Sequence, residues 1–456
     1  MSVAPTKKNI NAMPPHTIDI LEINIILLTP MSELFGFKDI RNFWSFIFEL
    51  KPRYNIFMKE IIKEYTNYMV PFYAPADFVV KKASGSHVWD LNNKKYIDFT
   101  AGIAVTNLGH SNKDLIKILK KQSEELWHLS NLYINEPSVT LAKKLCKNSF
   151  ADKVFFCNSG AESIEAAVKI ARKFCSSTLN KNKNEIISFS TSFHGRTMLG
   201  IALAKAKHLT DGFAPLPRGI KNHPYNDISN LEKVFSDKTA AVILELVQWQ
   251  SGITKADKKF IAKIKKLAKK HKALVIIDEV QSGIGRTGTL FAYEQFNITP
   301  DILCFAKGIS NGLPLGGILT IDKVSKYMST GSHGTTFGGG PIACAIGNKV
   351  IDTISKKSFL NQVLKKEVRF INLLNKINEK HKCFEKITSA GLWVGVEVNK
   401  DSKIQIDDLI KKSHDNGLMI LKANASTVRF SPSLIIENEL VDEGLKIFEK
   451  SIISLL

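Results

Sequence analysis

From about residue 150 onward, short apolar runs alternate with longer stretches in which apolar residues recur every three or four positions. A run of four or five mostly apolar residues suits a strand covered on both faces, and the wider spacing suits a helix packed on it by one side. The pattern predicts strands at 154–157, 186–189, 241–244, 273–277 and 302–306. It predicts helices between them, one burying Ile164, Val168, Ala171 and Phe174, another burying Phe260, Ile264 and Leu267. Strands and helices in this alternation make a parallel α/β sheet. Beyond about residue 340, long helical patterns precede short strands near 392–398 and 428–430, which reads as a smaller α+β lobe.

Residues 1–57 follow neither pattern. They are Pro-rich at the start, hold a four-residue apolar stretch at 25–28 between Asn24 and Pro30, and then an aromatic run at 43–48. The stretch is too short for a membrane span, and Asp19 and Glu22 run against a mitochondrial presequence. Met58 begins a segment that reads as an ordinary start, so 1–57 is expected to be a poorly ordered extension or upstream translation. The remaining boundaries are expected at 58–110 for an N-terminal segment of a small domain, 111–345 for the large sheet domain, and 346–456 for the rest of the small domain.

Composition narrows the class. With 44% hydrophobic and 23% charged residues among 456, the chain reads as a folded cytoplasmic protein, not a disordered, collagenous or membrane one. Its 63 Lys and Arg against 43 Asp and Glu give a net charge of +20, which alone would suggest nucleic acid. Yet Lys258, Lys259, Lys263, Lys265, Lys266, Lys269 and Lys270 interleave with an apolar stripe and read as a solvated helix face, and no basic run is interleaved with aromatics. No nucleic-acid partner is expected. The six cysteines show no CxxC pair and no His at zinc-ligand spacing, so buried thiols are expected and no metal.

The first chemical signal is Asp278 with Lys307, each at the carboxyl end of a predicted buried strand, about one βαβ unit apart. Ligands of open parallel sheets bind along that edge. A structural ion pair would account for the two residues; so would a desolvated, nucleophilic amine beside an acid, the set that pyridoxal phosphate chemistry needs. Asn158, Ser159, Gly160 and Ala161 join a strand to a helix N-terminus, where free N–H groups favour an anion, although a plain N-cap has the same sequence. Phe193, His194, Gly195 and Arg196 offer a ring for a flat cofactor and a guanidinium for a carboxylate. Thr335 and Thr336 supply hydroxyls on a Gly-rich loop. Gly283, Gly285 and Gly288 fit GxGxxG, but residues 278–282 intervene after the strand, so a dinucleotide loop is not expected.

Together, the segments 158–162, 193–196, 278–288 and 305–317 resemble the class III, fold type I pyridoxal-phosphate aminotransferases, over about residues 68–455. Segments 73–78, 126–131, 135–137, 331–336 and 429–434 are most similar to the acetylornithine/succinyldiaminopimelate group of arginine and lysine biosynthesis. The resemblance implies a PLP-dependent transferase fold, with a large mostly parallel sheet between helices and a smaller α+β domain. It implies a ping-pong transfer from N-acetylornithine, or N-succinyl-diaminopimelate, to 2-oxoglutarate, in a cytoplasmic homodimer with shared active sites and no membrane partner. Lys307 would form the Schiff base and shuttle the proton, and Asp278 would pair with the pyridine nitrogen. Gln281 would contact the ring hydroxyl, Val280 and Phe193 would sandwich the ring, and Gly160, Ala161 and Thr336, the last from the partner subunit, would hold the phosphate. Arg196 and Thr335 would contact substrate, and Glu245 would pair with Arg429 in one half-reaction and release it in the other. Ornithine or 4-aminobutyrate aminotransferases, and a non-catalytic cofactor-binding homologue, share the cofactor residues. The chain departs from the family at Trp249, where a Gly is usual, at Gly340, where Asn is usual, and at Ala161, where Thr or Ser is usual.

Overall fold

Two strands that run as unbroken apolar blocks, Leu274–Asp278 and Ile302–Phe305, lie side by side at the middle of a seven-stranded sheet. The structure is a computed structural model and describes residues 58–456; the expectations for 1–57 lie outside that span. The described chain divides into two compact units, residues up to 83 with 88–95, and residues 84–87 with 96–456. The first holds a helical run over 58–68 and most of the strands Val80–Ser84 and His87–Asp90.

In the second unit the large sheet comprises β1 (Lys153–Cys157), β2 (Glu185–Phe189), β3 (Ile220–His223), β4 (Thr239–Leu244), β5 (Leu274–Asp278), β6 (Ile302–Phe305) and β7 (Gly316–Thr320). Their order is β1-β7-β6-β5-β4-β2-β3. Strands β2 to β6 pair in parallel, with Ile276 opposite Ile243 on one side and Ile302 on the other. Strand β7 is the exception. It lies between β1 and β6 and runs antiparallel to both, with Gly316 opposite Cys157 and Gly317 opposite Phe305. The pair of glycines is what admits it: a Cβ on Gly317 would stand 2.4 Å from the Phe155 carbonyl oxygen, and one on Gly316 2.7 Å from that of Ser159.

The helices follow the apolar spacing. In α1 (Gly160–Thr178), Ile164, Val168, Ala171 and Phe174 are buried, and they pack against β4, β5, β6 and β7 through Ile243, Ile276, Cys304 and Ile318. After the short α2 (Met198–Ala204) comes α3 (Lys258–His271), which buries Phe260, Ile264 and Leu267. Its lysines face solvent except Lys263, half-buried and paired with Glu232 at 2.9 Å. The later chain forms a second, four-stranded antiparallel sheet from β8 (Phe384–Ser389), β9 (Val394–Val398), β10 (Leu421–Asn424) and β11 (Thr427–Phe430), in the order β8-β9-β11-β10. The helices Lys357–His381 and Asn438–Ile453 cover it, with Phe370, Phe430 and Phe448 meeting Phe99 in one aromatic core. All six cysteines are free, and all but the half-buried Cys146 are buried. Among the described residues no helix is long and apolar enough to cross a membrane.

Candidate active site

Strands β4, β5 and β6 end side by side, and the residues that leave them line one cavity of about 460 Å³. Asp278 is the last residue of β5. Its Oδ2 lies 2.8 Å from His194 Nδ1, and its Oδ1 accepts the Val280 N–H at 3.0 Å. Both side chains are buried, so the carboxylate is fixed in place and faces the cavity already hydrogen-bonded. Lys307 follows β6 by one residue and adopts φ 48°, in the left-handed region that a non-glycine residue occupies at a cost. Burial, reinforced by the positive charge of Arg429 and opposed by Asp278 and Glu245, brings its amine down to about 7. A large fraction of the amine is therefore neutral and nucleophilic near neutral pH.

The strand-to-helix turn after β1 brings a helix N-terminus to the cavity. Ser159 caps α1 by accepting the Glu162 N–H on its hydroxyl, which leaves the N–H groups of the first turn at Gly160 and Ala161 without an intrahelical acceptor. Gly160 is required by close approach, because a Cβ there would stand 2.6 Å from Val280 Cγ1. The turn after β2 brings Phe193 and Arg196 to the same cavity, the guanidinium 5.6 Å from the Phe193 ring centre. Gln281 lines the cavity as well, and its buried Nε2 has no hydrogen-bond partner.

Glu245, next after β4, is buried and accepts the Phe193 N–H at 2.9 Å. Burial, aided by the charge of Asp278, raises its carboxyl well above the usual range. The ion pair with Arg429 expected for one half-reaction is not made here. Arg429, on β11, is buried, and its Nε and Nη1 have no hydrogen-bond partner. Its guanidinium lies 4.5 Å from the Trp249 ring centre, and burial brings it down to about 10.

Asp278, Lys307, Gly160, Ala161, Phe193, Val280, Gln281, Arg196 and Glu245 thus share one cavity, and Arg429 lies outside its wall. Thr335 and Thr336 are not brought to it. They line a separate recess with Asn158, Glu162 and Phe337, where Asn158 Nδ2 donates to Thr335 Oγ1 at 3.1 Å, and Thr336 is exposed. Sequence reasoning gave no role to His194 or to Trp393, which joins the cavity wall. A His next to Phe193 at a strand-to-helix turn was a signal for the first; nothing in the spacing announced the second.

Residues 69–452 match the family model described as aminotransferase class-III. The chain is 43% identical over 388 residues to an acetylornithine/succinyldiaminopimelate aminotransferase of Photorhabdus laumondii, covering 85% of this chain and 96% of that protein. It is 44% identical over 387 residues to an acetylornithine aminotransferase of Shewanella oneidensis, with the same shares covered. Among solved structures, the ornithine aminotransferase of Toxoplasma gondii superposes with a TM-score of 0.83 at 27% identity, covering 87% of this chain and 95% of that one. The N-acetylornithine aminotransferase of Stenotrophomonas maltophilia gives 0.75 at 33%, covering 86% and 98%. An amine and a fixed acid at neighbouring strand ends, a helix N-terminus opposite, and this extent of similarity have one explanation: the chain belongs to the class-III aminotransferase family.

Proposed function

We propose that this protein is a pyridoxal 5′-phosphate-dependent aminotransferase that moves the amino group of N-acetylornithine, and of N-succinyl-diaminopimelate, to 2-oxoglutarate in arginine and lysine biosynthesis. The observation that carries the reading is a lysine amine lowered to about 7 in one cavity with a buried, hydrogen-bonded carboxylate and an uncommitted helix N-terminus. The donor set fits the cofactor. The neutral Lys307 amine suits an aldehyde, Asp278 a protonated ring nitrogen, the unpartnered Gln281 Nε2 a ring oxygen, and the Gly160 and Ala161 N–H groups a phosphate. When bound, the cofactor supplies an electron sink for the carbon that loses its proton. The chain's own part is to hold and direct: His194 keeps Asp278 oriented, Phe193 and Val280 exclude water from either side of the ring site, and Lys307 Nζ takes and returns the proton. Arg196 binds the substrate carboxylate.

The identity of the amine follows relatives at 43% and 44% identity, which are named for acetylornithine, while an ornithine aminotransferase of similar structure shares 27% identity. We include in the proposal a cytoplasmic homodimer in which Thr336 of the partner subunit completes the phosphate site. Support for the second subunit comes from Leu132 and Ile134, exposed at 89% and 88%, beside a loop whose Asn131 donates to the Thr335 and Gly338 carbonyls. Support for the compartment comes from six free thiols. We also propose that 58–110 and 346–456 form one small domain around 111–345. For residues 96–110, this is supported by Ile97 pairing with Leu418 and by the Ser431 N–H donating to the Phe99 carbonyl at 2.8 Å.

The test is the visible absorption of the purified protein. Adding N-acetylornithine should abolish the band and 2-oxoglutarate should restore it, with neither response in Lys307→Ala. A band that responds to ornithine or 4-aminobutyrate alone would move the substrate, and no band at all would remove the cofactor.

A further inference from the structure

Trp393 stands between two fixed points of the chain. Leu392 before it donates its N–H to the Arg286 carbonyl at 3.1 Å and accepts from the Arg286 guanidinium at 2.8 Å, and Val394 after it pairs with Phe430. Gly391, at φ 63°, permits this close approach, because a Cβ there would stand 2.3 Å from the Arg286 carbonyl oxygen. The indole so placed is fully buried, packs with Val247, Ile253 and Trp249, and joins the cavity wall. Trp249 in turn meets the Phe193 ring at 5.4 Å. The Nε1–H of Trp393 has no hydrogen-bond partner. An indole nitrogen donates only, so relief from the cost of burying it unpaired has to come from an arriving acceptor. The other unpartnered polar atoms of the wall, His194 Nε2, Gln281 Nε2 and Ser282 Oγ, belong to the turn after Asp278 or to the histidine bonded to it. Trp393 is set apart from them, among rings and apolar side chains.

We propose that Trp393 determines specificity by donating its Nε1–H to the carbonyl oxygen of an amide on the substrate, so that the site takes an N-acylated amino acid over the same compound with its α-amine free. An amide brings a neutral acceptor and a small apolar end, which match a single donor among the rings of Phe193, Trp249 and Trp393. A free ammonium brings donors only. It leaves Nε1 unpaired, loses its water against those rings, and meets the charge of Arg429, 4.5 Å from the Trp249 ring centre. A site built around a buried donor rejects the analogue that lacks the acceptor, because the donor is then desolvated for nothing. The inference deepens the aminotransferase reading and rests on it only for the amine that reacts.

The test uses N-acetylnorvaline, which keeps the carboxylate and the acetamide but has no free amine and so binds without turnover. Its control is 2-propylpentanoate, the same skeleton with methylene groups in place of the amide N–H and carbonyl. In calorimetric titrations of the holoenzyme, wild type should bind N-acetylnorvaline more tightly than the control. Trp393→Phe, which keeps a ring and removes the donor, should weaken N-acetylnorvaline about tenfold and leave 2-propylpentanoate unchanged. No preference in wild type, an N-acetylnorvaline affinity untouched by Trp393→Phe, or equal losses for both ligands would each overturn the assignment, the last by reducing Trp393 to packing. Should the phenylalanine variant not fold, benzothienylalanine installed in place of Trp393 exchanges the N–H for sulfur at nearly the same volume, and the same pair of affinities decides. Neither ligand has an amine to bleach the visible band, so the donor role of Trp393 and the assigned substrate fail separately.

Discussion

At the scale of single residues, the unusual groups are those that burial holds away from their ordinary charge. Lys307 has its amine at about 7 in the folded chain, against roughly 10.4 when exposed. Between those values the unfolded chain carries a proton that the folded chain lacks, so the contribution of Lys307 to stability is smallest below pH 7 and grows as pH rises toward 10. Urea unfolding from pH 6 to 10 should show that slope in the wild type, and Lys307→Met should remove it; parallel curves would contradict the shift. His194 acts one bond further away. Removing it as His194→Phe leaves Asp278 Oδ2 without its partner at 2.8 Å, and a carboxylate free to turn should lower kcat by about 100-fold with little change in KM. Restoration by His194→Asn would place the effect in orientation.

At the scale of elements, the site depends on how closely α1 and the chain after β5 approach. Gly160→Ala would press a methyl onto Val280, and overpacking of that kind should cost about 1–3 kcal/mol together with cofactor affinity; thermal melts with and without added pyridoxal phosphate would separate the two losses. Arg286, on the turn that follows β5, is fully buried and donates to the carbonyls of Leu392 and Pro432 at 2.8 and 2.6 Å and to Asn107 Oδ1 at 2.6 Å. It explains why the GxGxxG spelling there marks a structural clamp. Arg286→Met strands two buried carbonyls and should destabilise the fold by about 3 kcal/mol, measured by urea unfolding. Much of this level was legible beforehand. Strands β4, β5 and β6 hold continuous apolar runs, β2 one broken only by Ser188, and the candidate chemistry of Asp278 and Lys307 was read from their places at strand ends. Strand β3, with a single apolar residue in Ile220–His223, and β7, opened by two glycines, had no such signal. The stacking of Arg429 on Trp249 had none either, because it joins a loop and a strand far apart in sequence that only the finished fold brings together.

For the whole molecule, the second cavity, with Thr336 exposed on its rim, makes sense if another copy of the chain covers it. Ile134→Glu places a charge in that apolar surface, and sedimentation should then give the mass of one chain where the wild type gives two; an unchanged mass would exclude this face as the contact. The position of β7 has a separate consequence, for the order of events during synthesis. The sheet is threaded so that β1 and β6, which lead to the anion site and to Lys307, become neighbours only through a strand made after both. A nascent chain that has emerged as far as residue 315 has every candidate cofactor residue of its own cavity, but nothing to span the gap between those two strands. Ligand capture by growing chains should therefore begin abruptly once residue 320 clears the ribosome, instead of building up strand by strand.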